Sequence, residues 1–106
     1  MRPSDELEEL KRICSGAKEM PEGGITFILL PNLTISGQGE VDGLLCPQAR
    51  DGYPTRLFLS RQIPGKGNNW TPHRILDRSW TSWSWTGVGA ELRLAEILAN
   101  HLGALR

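Results

Sequence analysis

Leu7, Leu10, Ile13, Cys14 and Ala17 recur at helical spacing near the start of the chain and form one apolar stripe. Asp5, Glu6, Glu8 and Glu9 precede Lys11, Arg12 and Lys18, the charge order that a helix dipole favours. This pattern predicts a helix over residues 4–18, with Ser4 as its N-cap, docked through Leu7, Leu10 and Ile13 with its acidic face in solvent. Gly16 and then Pro21-Glu22-Gly23-Gly24 end it. The pattern next changes period. Residues 25–30 are β-branched and aromatic and predict a strand covered on both faces. Pro31-Asn32 marks a bulge before Leu33-Thr34-Ile35, and Gly37-Gln38-Gly39 gives a turn. Further strands are predicted over 40–46 and 55–60, where Arg56, Phe58 and Ser60 alternate with Leu57 and Leu59. Short turns between them favour an antiparallel meander of three to four strands. Residues 61–89 carry no clear period, and Pro64-Gly65-Lys66-Gly67-Asn68-Asn69 reads as a loop. Over 90–105, Leu92, Ala95, Ile97, Leu98, Leu102 and Leu105 again form a helical apolar face. The fold class is α+β: helix, meander, tryptophan-rich irregular segment, helix.

A chain of 106 residues is the size of one domain, and residues 1–106 are read as a single unit. Apolar residues make up 39% and charged residues 23%, which excludes a disordered or fibrous chain. No apolar run approaches the roughly 20 residues of a membrane helix, and the acidic start lacks the apolar core of an export signal. A cytoplasmic location is the expectation. Net charge is zero but unevenly spread, with four basic and eight acidic side chains in residues 1–46 and the reverse in residues 47–106. Such asymmetry marks either an interaction face or one acidic helix.

The motifs offer little catalytic chemistry. Gly65-Lys66-Gly67 and Gly37-Gln38-Gly39 lack the strand-to-helix context of phosphate-binding loops and read as turns. Cys14 and Cys46 lie 32 residues apart without a CxxC pair or a nearby histidine, so no metal or cofactor site is expected. Both read as buried structural thiols. His101 is assigned to capping or to the surface near the end of the last helix. A Cys46–His73 dyad is the alternative that would make an enzyme. The strongest anomaly is four tryptophans, Trp70, Trp80, Trp83 and Trp85, within 16 residues. They either pack a small core or supply partner anchors, as tryptophan and arginine do at binding hot spots. The anchor reading selects Trp83 and Trp85, bordered by Arg61, His73 and Arg78. Arg50, Arg56, Arg61, Lys66, Arg74 and Arg78 interleave with these rings in a way that suits nucleic acid. The sequence pI of about 6.7 and the lack of a recognition motif disfavour that partner.

Cys46-Pro47, then Gly52-Tyr53-Pro54, then the strand at 55–60, resembles the strand, proline and Tyr-Pro turn of ubiquitin-conjugating enzymes. Trp80 to Trp85 ahead of the last helix is similar to the tryptophan before that family's later helix. The overall order is closest to divergent bacterial members, which occur beside activating enzymes, ubiquitin-like proteins and JAB-type peptidases. The family's His-Pro-Asn and thioester cysteine have no counterpart, since residues 61–90 contain no cysteine and Thr71-Pro72-His73 only echoes the motif. The resemblance therefore implies a noncatalytic adaptor that binds a ubiquitin-like protein or an active conjugating enzyme, with no catalytic residues of its own. The alternatives are a transferase using Cys46 or another nucleophile, and a nucleic-acid module.

Overall fold

The computed structural model describes residues 4–105, and the capping role expected of the Ser4 side chain lies outside the described residues. Helix α1 (Ser4–Lys11) is followed by strands β1 (Lys18–Glu22), β2 (Ile25–Ile35), β3 (Gly39–Cys46), β4 (Arg56–Leu59), β5 (Thr71–Ile75) and β6 (Arg78–Ser82), then by helix α2 (Leu94–Ala104). All six strands form one antiparallel sheet in the order β1-β2-β3-β4-β6-β5. The α+β class stands, but the sheet has more strands than the sequence pattern suggests. The first four are a meander, and the last two are a hairpin within the segment expected to be irregular.

Helix α1 is shorter than its apolar stripe. Beyond Lys11 the chain turns through Ile13 and Cys14 N–H groups that both donate to the Leu10 carbonyl at 2.9 Å. Gly16 then passes so close to Pro31 that a Cβ there would lie 2.7 Å from the proline ring. The chain thus re-enters the sheet as β1 instead of continuing the helix. Cys14 and Ala17 take the core positions, and Ile13, expected in the docking face, is 57% exposed. Strand β1 is an edge, and Lys18, Glu19, Pro21 and Glu22 make it a poor template for further pairing.

Strand β2 contains the expected bulge. Leu30 pairs with Gly43 and Leu33 with Val41, so β2 spends three residues where β3 spends two. The extra residue keeps Leu33 and Ile35 on the same face as Ile28 and Leu30. Asn32, at φ 55°, donates its N–H to Asp42 Oδ1 at 3.0 Å.

The sheet separates two apolar clusters. Both helices cover one face, where Leu10, Ile28, Leu30, Leu45, Leu57, Leu59, Ile97 and Leu98 meet Trp83. The other face carries no helix. There Phe27, Leu44, Cys46, Phe58, Ile75 and Trp80 form a second buried cluster. The sheet curls over this second cluster, bringing the β5–β6 turn to the end of β1, where Leu76 N–H donates to Glu22 Oε2 at 3.0 Å.

The helices are tied by charge. Glu6 is buried rather than solvated, and its Oε1 accepts the Leu94 N–H at 3.0 Å, capping α2 from 88 residues away. Arg93 reaches back to Asp5 at 2.9 Å and Glu9 at 3.1 Å. The Arg93 hydrogen bond is the main cause holding the Asp5 carboxyl below its usual range. Asp5, Glu6 and Glu9 therefore supply counter-charge to the start of α2, while Glu8 stays in solvent beside Lys11. Glu6→Ala should lower the unfolding free energy by about 1–2 kcal/mol, with Glu6→Gln recovering part of it, as measured by urea denaturation.

Candidate functional site

The polypeptide leaves the sheet after Ser82, and this departure decides the fate of the tryptophans. Ser84 N–H donates to the Asn68 carbonyl at 2.8 Å, pinning the backbone between Trp83 and Trp85 to that loop. Trp83 points inward and Trp85 outward, so the two rings do not share a face as an extended run would place them. Trp83 is only 3% exposed, 5.3 Å from the Trp70 ring and edge-on to His101. Trp83, expected to stand exposed as a partner anchor, is buried because the loop through Gly67 and helix α2 close over it. Gly67 sits at φ 70°, which strains any L side chain, and a Cβ there would crowd both Trp70 and Trp83 at 3.0 Å. Trp70 donates to the Lys66 carbonyl and Trp80 to the Ile75 carbonyl. Both are structural indoles whose N–H groups are satisfied.

Trp85 is 45% exposed and lies over the small side chains of α2. With Ala99, Asn100, Gly103 and Ala104 it lines an open hollow of about 540 Å³. The hollow exists because Ala99 and Gly103, four residues apart on the helix, offer almost no side-chain volume beneath the indole. Asn100 is held in place by donating its amide to the Glu96 carbonyl at 2.8 Å. An indole half out of solvent above a shallow trough is suited to clamp an apolar side chain of another protein.

The arginines and histidine expected beside the anchors do not border this hollow. Arg61 donates to the Gln38 carbonyl at 2.6 Å and braces the β2–β3 turn. Arg78 pairs with Asp42 at 3.0 Å and lies 4.3 Å above the Trp80 ring. The Asp42 carboxyl is held low, first by the Asn32 N–H and then by Arg78. His73 stands on the helix-free face, edge-on to Phe58 at 5.0 Å, with Nε2 3.0 Å from Thr71 Oγ1. Burial is the main cause that lowers its pKa, followed by the charges of Arg56 and Arg50.

Both cysteines are buried free thiols, as their apolar settings suggest. Cys46 is fully buried, its Sγ bonds to the Gln48 carbonyl at 3.3 Å, and burial pushes its pKa up. A raised pKa and a closed site are the opposite of what a thiolate nucleophile needs.

His101, expected at a cap or at the surface, is instead 1% exposed. Thr55 Oγ1 donates to the Val88 carbonyl at 2.7 Å, so the 2.9 Å contact has His101 Nε2–H as donor and Thr55 Oγ1 as acceptor. Burial, with Arg56 adding to it, lowers the His101 pKa to about 4. The helix dipole favours a cation at this end of α2 by about 0.3–2 kcal/mol, and burial outweighs it.

Fold and geometry together define a two-layer α+β protein, two helices on a curled six-stranded antiparallel sheet, with an open hollow under Trp85. No family model matches the chain, and no curated protein or solved structure matches it. Among the described residues, no group of histidine, cysteine and acidic side chains is placed to hold a metal ion. No described helix is long and apolar enough to cross a membrane.

Proposed function

We propose that this protein is a noncatalytic adaptor of a bacterial ubiquitin-like conjugation system, holding a ubiquitin-like protein or an active conjugating enzyme through Trp85. The observation that carries the reading is the half-exposed indole above the trough of Ala99, Gly103 and Ala104. Two further features support it. The Cys46-Pro47 and Gly52-Tyr53-Pro54 segments resemble those of the ubiquitin-conjugating family, and the Arg50–Tyr53 bridge staples the turn ahead of β4. Cys46 precedes that turn and is closed to solvent, which favours a binding role over thioester chemistry.

The test is calorimetric titration of the protein against purified ubiquitin-like and conjugating proteins encoded beside it. One of them should bind, and Trp85→Ala should weaken that binding by about 2 kcal/mol, close to thirtyfold, as hot-spot truncations do. The same substitution should leave urea unfolding within about 1 kcal/mol of wild type, since nearly half of the indole is already exposed. Failure of every such protein to bind would sink the adaptor reading. Binding that ignores Trp85 would move the interface elsewhere.

A further inference from the structure

The helix-free face of the sheet holds a charge that the described residues do not neutralise. Arg56 is 6% exposed, yet none of the described carboxylates lies within ion-pair distance of it. Its Nε donates to Ser82 Oγ at 3.2 Å, and its guanidinium carbon stands 4.2 Å over the Tyr53 ring and 5.6 Å from Phe58. The two Nη groups make no hydrogen bond within the described chain. They are not sealed off, because Trp83 Nε1 is the one fully enclosed and unpaired side-chain polar atom among the described residues. The guanidinium therefore keeps a narrow edge in contact with solvent.

Burying a guanidinium is costly even after relaxation, and stacking on aromatic faces offsets only part of that cost. Surface arginines of this chain solve the problem with acids: Arg50 with Asp51, Arg78 with Asp42, Arg93 with Asp5 and Glu9. Arg61, which is exposed, does without an acid and donates to the Gln38 carbonyl, whereas Arg56 does without one while buried. Around it, Arg50 lies 5.7 Å from the same Phe58 ring and His73 meets that ring edge-on. Arg50 and Asp51 cancel each other, and His73, with its lowered pKa, is neutral near pH 7. The local excess is one positive charge carried on a planar pair of N–H donors.

We propose that Arg56 is the receptor for a single carboxylate group, bound end-on to its two Nη donors between Tyr53 and His73. A carboxylate supplies one negative charge and two oxygens at the spacing of the fork, and so matches both the charge and the shape left open. The proposal goes beyond the Trp85 interface and stands or falls separately from it. The carboxylate comes either from a free small acid or from an acidic segment of a protein.

The experiment follows the Arg56 Nε–Hε and His73 imidazole resonances of the full chain while sodium acetate replaces sodium chloride at constant ionic strength. A parallel arm adds a short polyglutamate peptide. Both resonances should shift saturably, and the His73 pKa should rise as the bound anion cancels the field of Arg56. Acetate alone saturating the shift identifies a small-acid site, whereas peptide binding at least about tenfold tighter identifies an acidic segment. Arg56→Met should keep the fold and abolish the shifts at His73. Arg56→Lys, which retains charge without the fork, should weaken binding about tenfold and carries the comparison if the methionine variant does not fold. Arg50→Gln should leave binding within about threefold, because Arg50 is already paired. No saturable shift in wild type, or an equal shift with chloride, would overturn the proposal.

Discussion

Replacing Trp83 by alanine should lower the unfolding free energy by about 3–5 kcal/mol, with the urea m-value unchanged. The indole sits where the loop through Gly67, the Trp70 ring and His101 of α2 converge, and it is 3% exposed. Truncation removes its apolar contacts and leaves a cavity that the rigid glycine turn and the helix cannot both close. Against a total stability of roughly 5–15 kcal/mol for a domain of this kind, such a loss is large. Trp83→Phe makes the sharper comparison. Trp83 Nε1 is buried with no acceptor, a defect that costs on the order of 1–3 kcal/mol. Phenylalanine deletes that N–H while keeping an aromatic ring, so its penalty should be less than half that of alanine. If the two variants cost the same, the Nε1–H is not an uncompensated group and the packing account of this site is wrong.

Acid should destabilise the protein in a window set by His101. Its ordinary pKa is 6.5 and the folded protein lowers it to about 4. Between those values the unfolded chain binds the proton and the folded chain does not. Stability is then fully present above pH 6.5 and declines as pH falls toward 4. Integrated across that window, the loss is about 3 kcal/mol. The proton has nowhere favourable to go: Nε2 already donates to Thr55, so Nδ1 must take it inside a dry site that Arg56 keeps positive. Asp5 and Asp42, whose pKa values are lowered from 3.8, add their own losses only at lower pH. Urea unfolding from pH 8 to 4 should trace this decline. His101→Gln preserves a donor to Thr55 without a titrating ring and should flatten the curve between pH 6.5 and 4. An unchanged slope in that variant would assign the acid sensitivity to another group.

The α+β class of the protein and the positions of β2, β3 and β4 are written locally in the chain. Short β-branched or apolar runs bounded by turns mark β2, β3 and β4, and the apolar face of α2 is equally local. The bulge was legible because Pro31-Asn32 interrupts an otherwise continuous strand pattern. Strand β1 was not legible, since its exposed, charged and proline-bearing sequence is what an edge strand uses to avoid pairing. The β5–β6 hairpin was hidden by its turn. Leu76 and Asp77 both adopt positive φ, 53° and 60°, where Asn-Gly would be the usual signal. What sustains that turn is tertiary: Leu76 packs on the second cluster and its N–H reaches Glu22. The same holds for the choice of inside and outside at the candidate sites. Neither the separation of Trp83 from Trp85, nor the burial of Arg56 and His101, nor the reach of Glu6 to Leu94 follows from neighbouring residues. A period fixes which side chains share a face, but whether that face is covered depends on segments far away in the chain. Only their assembly decided which indole is exposed and which arginine is buried without an acid beside it.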